Sequence, residues 1–254
     1  EKATSKIPYG SLLFGDTADE TLARARKALA DGFSAVKFGW GPIGTLDAAF
    51  DADHFVAARE GIGNDGHLMV DVGQIFVEDI EAAAARLPAL EQARAHWLEE
   101  PFSGHAFEAY ADLAARSPNV GIAGGEAAHN IAMARHLMDF GKVKFVQIDC
   151  GRIGGIGPAF EVAQLAQVRG VTYVNHTFTT HLALSASLQP FAGIADDRIC
   201  EYPANPSALA LAVVANPITR NLAGEVFAPD APGLGVKVDT DALKPYLVDT
   251  EIKV

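Results

Sequence analysis

Seven residues able to carry charge or move a proton recur along this chain at nearly even intervals: Lys37, Asp71, Glu99, Glu126, Asp149, His176 and Glu201. After Lys37 the gaps are 34, 28, 27, 23, 27 and 25 residues. Asp71, Glu99 and Glu126 would repel one another strongly in one poorly solvated pocket unless a cation lay between them. Oxygen donors with no His or Cys among them favour a hard ion that keeps positions open for water and another ligand, and Mg²⁺ suits that description. Asp149 and His176 suggest a different chemistry. A carboxylate that orients an imidazole makes a base, or an acid, that works near neutral pH.

Such residues share a pocket only if the elements carrying them end at one place. Phe145 to His176 shows the unit that achieves this: a short strand FVQID, a Gly-rich turn, an amphipathic helix ended by Gly170, and a second strand VTYVNH, together one parallel βαβ unit. Alternation puts Phe145, Gln147 and Asp149 on one strand face, and His176 on the face of Val174. The pattern runs the length of the chain. Strands are predicted at PYGSLLF, SAVKF, LMVD, HWLEE and VGIAGG, then at the two strands above and RICEYP. Helices are expected over Thr17 to Asp31, Leu46 to Glu60, Val77 to Leu87, Phe107 to Arg116 and about Ala128 to Phe140. Two more follow, over PAFEVAQLAQVR and Thr180 to Ala192. Strict alternation of this kind closes a TIM-like (β/α)₇β barrel over residues 1–202, whose strand ends form one face. Residues 203–254 are rich in Pro, Asn, Ala and Gly and read as an irregular tail packed on the barrel.

Bulk properties narrow the partners. A chain of 254 residues suits one α/β barrel, and 49% apolar with 20% charged residues excludes disorder. The net charge of −12 argues against nucleic acid. No apolar run reaches the roughly 18 residues of a membrane span, and EKATSKIPYG has no signal-peptide pattern, so a cytoplasmic protein is expected. Cys150 and Cys200 read as reduced, buried thiols.

The motifs MVD, WLEEP, GGE, IDCGRIGGI and the later NH, in this order and spacing, resemble the barrel domain of the enolase superfamily, within it the mandelate racemase group. The resemblance runs from IPYGSLLF to PGLGVKV. It implies that Asp71, Glu99 and Glu126 bind Mg²⁺, that His176 and Asp149 are the catalytic dyad, and that Glu201 is the family's glutamate at the eighth strand. It also implies the reaction, abstraction of the proton α to a carboxylate. That proton is very weakly acidic because a second negative charge must grow on the carboxylate oxygens, and a divalent ion with donors placed there stabilises that charge.

Three departures shape the expectation. Members of the group often carry Lys-x-Lys at the second strand, whereas this chain has Lys37, Phe38, Gly39. Lys37 remains as a contact for the substrate carboxylate, together with Glu201, but the second base is gone. With His176 as base and then acid, dehydration of an acid sugar to a 2-keto-3-deoxy acid is the natural reaction. Racemisation or epimerisation of a 2-hydroxy acid is the alternative, and a non-catalytic metal-binding barrel is the reading from another class. Gly73 replaces an Asn that often contacts substrate. The chain also begins at the first barrel strand, so the family's α+β capping domain is expected to be separate, cleaved or lost. A homo-oligomer is expected, because an eighth helix is missing.

Other candidates carry less. Glu100 reads as a supporting or ion-paired residue in preference to a ligand, His129 as a structural helix-end histidine, Trp40 and Phe102 as loop packing with substrate contact as the alternative, and Arg152 and Asn175 as flanking the dyad. His54, His67, His96, His105, His136 and His181 show no ligand spacing, and GRIGGIG does not match a nucleotide-cradling GxGxxG loop.

Overall fold

The computed structural model describes residues 3–248. Eight parallel strands, β1 (Ile7–Leu13), β2 (Ala35–Gly39), β3 (His67–Asp71), β4 (Ala95–Glu99), β5 (Gly121–Gly124), β6 (Phe145–Ile148), β7 (Thr172–Asn175) and β8 (Ile199–Tyr202), form one curved sheet in the order β7-β6-β5-β4-β3-β2-β1-β8. Strand alternation fixes what lies inside. Tyr9, Ala35, Met69, Trp97, Ala123, Phe145 and Val174 fill the interior as one apolar layer. Two residues further along β2, β3, β4 and β6 the same inner face carries Lys37, Asp71, Glu99 and Gln147. The outward residues Val36, Phe38, Leu68, Val70, Leu98, Ile122, Val146 and Ile148 pack in the main core.

The sheet does not close by a ladder. Its order ends at β7 and β8, and a side chain holds that seam: Asn175, fully buried, accepts from Glu201 N (2.9 Å) through Oδ1 and donates to Glu201 O (3.2 Å) and Ser187 Oγ (2.9 Å) through Nδ2. Below it, Asp197 Oδ2 accepts from Tyr173 N at 2.9 Å.

Helices return the chain between strands: α1 (Ala18–Ala30), α2 (Ala48–Ile62), α3 (Ile80–Ala84), α4 (Leu87–Gln92), α5 (Phe107–Arg116), α6 (Ile131–Asp139), α7 (Cys150–Ile153), α8 (Ile156–Arg169) and α9 (His181–Leu188). Thr17, Asp47, Asp79, Asn130 and Thr180 cap their helices with side-chain oxygens. Three helices differ from the sequence expectation. The one expected over Val77 to Leu87 is two short helices, because Val77 turns at φ 56° and Asp79 caps the first, while Pro88 occupies the opening turn of the second. The one expected from about Ala128 begins at Ile131, where Asn130 accepts from Met133 N. Thr180 to Ala192 is α9 from His181 to Leu188, continued by a 3₁₀ turn over Gln189–Phe191 that Pro190 opens. The turn after β6 is itself helical, since the Asp149 carboxylate accepts from Gly151 N and Arg152 N and so caps α7.

Past β8 one short helix, α10 (Ala208–Ala212), is followed by extended pieces pinned by two antiparallel bridges, Lys6 to Val226 and Val214 to Val238. This tail gives Ile218, Val226 and Ala228 to the main core, and His181 Nδ1 accepts from Ile218 N at 3.2 Å. Residues 249–254 of the expected tail lie outside the described residues. No helix among the described residues is long and apolar enough to cross a membrane.

Candidate active site

The carboxyl ends of the strands open into a cavity of about 760 Å³, lined among others by Lys37, Asp71, Glu126, Arg152, His176 and Glu201. Glu99 is fully buried at its floor, and Asp149 supports His176 from one side. All seven residues singled out by spacing therefore belong to one connected group, and β1, β2 and β8 set its register: Ser11 pairs with Lys37, and Tyr9 with Glu201.

Lys37 is the hub. Its Nζ donates to Glu99 Oε1 at 2.7 Å and lies 3.1 Å from Glu201 Oε1 and 3.6 Å from Asp71 Oδ2. Burial alone would weaken the ammonium, but Glu201, Glu99 and Asp71 outweigh it and hold the amine charged well above its ordinary range. The acids feel their crowding. Burial, with Glu99 and Glu126 adding like charge, pushes the Asp71 carboxyl up to about 8 against the pull of Lys37, and burial likewise raises Glu99.

His176 forms the second half. Its Nδ1 donates to Asp149 Oδ2 at 2.8 Å, Nε2 lies 2.9 Å from Glu126 Oε2, and Glu201 Oε2 is 3.9 Å from Nε2. Burial opposes an imidazolium here, yet the hydrogen bonds to Asp149 and Glu126 prevail and bring its pKa to about 10. Burial also works against the Glu126 carboxylate, but His176 and Arg152 bring it down to about 2.

Three donors escaped the sequence reading in whole or in part. Arg152 Nη1 donates to Glu126 Oε1 at 2.7 Å, so Arg152 reaches into the cavity instead of merely flanking it; the signal was its place three residues after Asp149, one turn along α7. Trp97 Nε1 donates to Glu99 Oε2 at 2.9 Å, two residues back along the same strand face. Thr177 N donates to Glu201 Oε2 at 2.6 Å, a backbone contact that leaves no trace in residue type. Glu100 is buried and accepts from Gln74 Nε2 at 2.8 Å, while Phe102 is core packing beneath Tyr110. His129 is exposed and Trp40 stands on the cavity wall.

Among the described residues no three His, Cys, Asp or Glu side chains converge as a finished metal cage. Lys37 and Trp97 engage the oxygens of Glu99, and Arg152 and His176 those of Glu126. The donor chemistry of Asp71, Glu99 and Glu126 nevertheless fits a hard divalent ion. All three are oxygen donors, and burial together with the like charge of Glu99 and Glu126 disfavours the Asp71 carboxylate, a penalty that such an ion would relieve.

Comparison with known proteins agrees with this architecture. The family model described as enolase C-terminal domain-like matches residues 20–242. The D-galactarolactone cycloisomerase of Agrobacterium fabrum is 28% identical, covering 91% of this chain and 61% of its own. The D-galactonate dehydratase of Klebsiella pneumoniae is 28% identical, covering 93% and 64%. A solved structure from Rhodobacter sphaeroides, described as a predicted mandelate racemase, superposes with a TM-score of 0.96 at 64% identity, covering all of this chain and 65% of that one. The chain thus spans about three-fifths of the length of the curated relatives it matches. With most of its length matched by that family model and its eight parallel strands ending in this one pocket, the chain belongs to the enolase superfamily as an enolase C-terminal domain-like barrel.

Proposed function

We propose that this barrel, with Mg²⁺, removes the proton α to the carboxylate of an acid sugar and completes a dehydration to a 2-keto-3-deoxy acid. The observation that carries the reading is His176 itself: a buried imidazole fixed through Nδ1 by Asp149 and aimed by Nε2 at the cavity, with Gly39 at the end of β2 where a second base would stand. In this reading Asp71, Glu99 and Glu126 hold the ion, which supplies positive charge where the substrate carboxylate accumulates negative charge. Lys37 contacts a carboxylate oxygen from below. Glu201, kept dry and close to Lys37, contacts the carboxylate from the β8 side.

The residues carry the reaction in two steps. His176 Nε2, once its bond to Glu126 is released, takes the α-proton as the C–H pair moves toward the carboxylate, giving an enediolate. The same nitrogen then returns a proton to the β-hydroxyl as that pair forms the Cα=Cβ bond and the C–O bond breaks, so that water leaves; the resulting enol tautomerises to the keto acid. Asp149 keeps Nδ1 protonated throughout, so Nε2 is always the reacting atom.

Gly39 favours one-base chemistry over racemisation. A Cβ built there would meet Asp71 Cβ and Oδ2 at 3.3 Å, so a longer residue at this strand end would press on a ligand candidate. A second reading uses the same first step: a relative is named as a cycloisomerase of a galactarolactone, and with a cyclic substrate the ring oxygen would leave in place of the hydroxyl. Leu13, Val77 and Phe178 are exposed, with Leu13 and Phe178 on the cavity wall, and would suit closure by a capping domain. A screen of mono- and diacid sugars with Mg²⁺, on this chain alone and with a capping domain supplied, tests the proposal. Formation of a 2-keto-3-deoxy acid supports it; α-proton exchange into D₂O without product favours racemisation, and neither activity under any condition favours the non-catalytic barrel.

A further inference from the structure

Trp40 is a cavity residue for which the proton chemistry has no use. It follows the last residue of β2, and its side chain is 60% exposed while the chain's other tryptophan, Trp97, is fully buried. Its backbone sits at φ 56°, a conformation that a bulky residue rarely adopts and that the next residue, Gly41 at φ 66°, adopts without strain. Strain of this kind persists only where the surroundings enforce it. They do so here. Trp40 N donates to Asp71 O at 3.2 Å, and the indole rests on Gly73, where a Cβ would lie 3.0 to 3.3 Å from Cε2, Cζ2 and Cδ2. Gly73, at φ 52°, in turn donates to Asp71 Oδ1 at 2.9 Å.

The loop beneath is fixed as well. Gly44 N donates to both Asp51 oxygens at 3.1 Å, Arg86 Nε donates to Asp51 Oδ2 at 2.9 Å, and Arg86 Nη2 donates to Leu46 O at 2.8 Å. A buried ion pair therefore holds the 40–46 turn that presents the indole. The exposed ring surface lines the cavity together with Lys37, Asp71 and His176. An aromatic face carries partial negative charge, and the C–H bonds of a polyol, polarised by neighbouring oxygens, carry partial positive charge. A rigid indole placed beside the charged groups suits a carbon chain that extends beyond the reacting carbons, at little ordering cost.

We infer that Trp40, laid on Gly73, is a specificity-determining residue: a fixed platform for the C–H face of an extended sugar acid, which a short 2-hydroxy acid does not reach. The inference rests on the reading of this cavity as an acid-sugar site, and its test keeps the two apart. The full chain with Mg²⁺ is titrated with D-galactonate, galactarate and L-rhamnonate, and with lactate as the short control, while tryptophan fluorescence is followed; turnover is measured in parallel on the wild type, Trp40→Phe and Trp40→Ala.

A sugar acid is expected to change the emission of the wild type but not of Trp40→Phe, and lactate to leave both unchanged. For a sugar acid that is turned over, Trp40→Ala should raise KM about tenfold with kcat within about twofold, and Trp40→Phe should stay within about threefold of wild type. An emission change without turnover, on the chain alone and with a capping domain supplied, upholds the platform and rejects the proposed reaction. Turnover with the same KM in all three proteins, or no emission change with any sugar acid, overturns the platform; because Trp40→Phe keeps a ring, a folding failure of Trp40→Ala does not obscure the result.

Discussion

The β7–β8 seam offers a demanding test of how the barrel positions its acid at β8. Replacing Asn175 with Ala removes three hydrogen bonds at one stroke: from Glu201 N, to Glu201 O and to Ser187 Oγ. At about 1 kcal/mol net for each, with a further ~1 to 3 kcal/mol for leaving the buried Glu201 N–H without a partner, the loss is about 4 to 6 kcal/mol. That is a large part of a domain's net stability, and for this size it corresponds to a fall of about 10 °C in Tm. Ser187→Ala removes one of the three bonds together with the Ser187 Oγ donation to Leu184 O, and should cost about 2 kcal/mol. Equilibrium urea unfolding of the two variants beside wild type gives both numbers, with unchanged m-values showing that the same transition is compared. Asn175→Ala within about 1 kcal/mol of wild type would refute the argument, because packing alone would then be holding β7 to β8.

Other outcomes follow from particular contacts. Glu100 is buried, and burial together with nearby Glu126 pushes its carboxyl from 4.5 up to about 7 despite the hydrogen bond from Gln74. The folded chain thus holds a proton that the unfolded chain releases across that range, so this group costs stability as pH rises from about 4.5 to 7; Glu100→Gln should recover up to about 3 kcal/mol at pH 8 in EDTA and none at pH 4. If the variant's advantage were the same at both pH values, the assigned shift would be wrong. Gly61→Ala would drive a Cβ to within 2.4 Å of Ala25 Cβ and 2.9 Å of Leu22 O, where α1 and α2 touch, and should cost about 2 kcal/mol in the same unfolding assay. Mg²⁺ at about 100 times its Kd should stabilise the chain by about 2.7 kcal/mol in a thermal scan, and Glu126→Gln should weaken that response while Ca²⁺ and Mg²⁺ titrations report the change in affinity.

Much of the site was legible because strand periodicity is rigid. Once Phe145 and Val174 face inward, Asp149 and His176 must follow them to the same side, and the structure joins the two at 2.8 Å. The same logic carried Lys37, Asp71, Glu99 and Glu201 from sequence spacing to one cavity. What stayed hidden was what a residue does in two roles or through its backbone. Asp149 ends a strand in the sequence, yet its carboxylate also caps α7, which turns Arg152 toward Glu126. Glu100 leaves the β4 register at φ 44°, so its position could not be counted from Glu99. The split of the third helix depended on Val77 taking a left-handed turn, against the preference of a β-branched residue. The seam at Asn175 could not be read either, because two of its three hydrogen bonds go to the main chain of β8, 26 residues away.

The most direct test of the central claim is NMR in D₂O, with Mg²⁺ and each acid sugar, on wild type and His176→Asn. The account predicts that wild type forms a 2-keto-3-deoxy acid carrying deuterium at C3, and that His176→Asn forms none while still binding Mg²⁺. Full turnover by His176→Asn, or a wild type that neither forms product nor exchanges the α-proton of any acid sugar with a capping domain supplied, would contradict it.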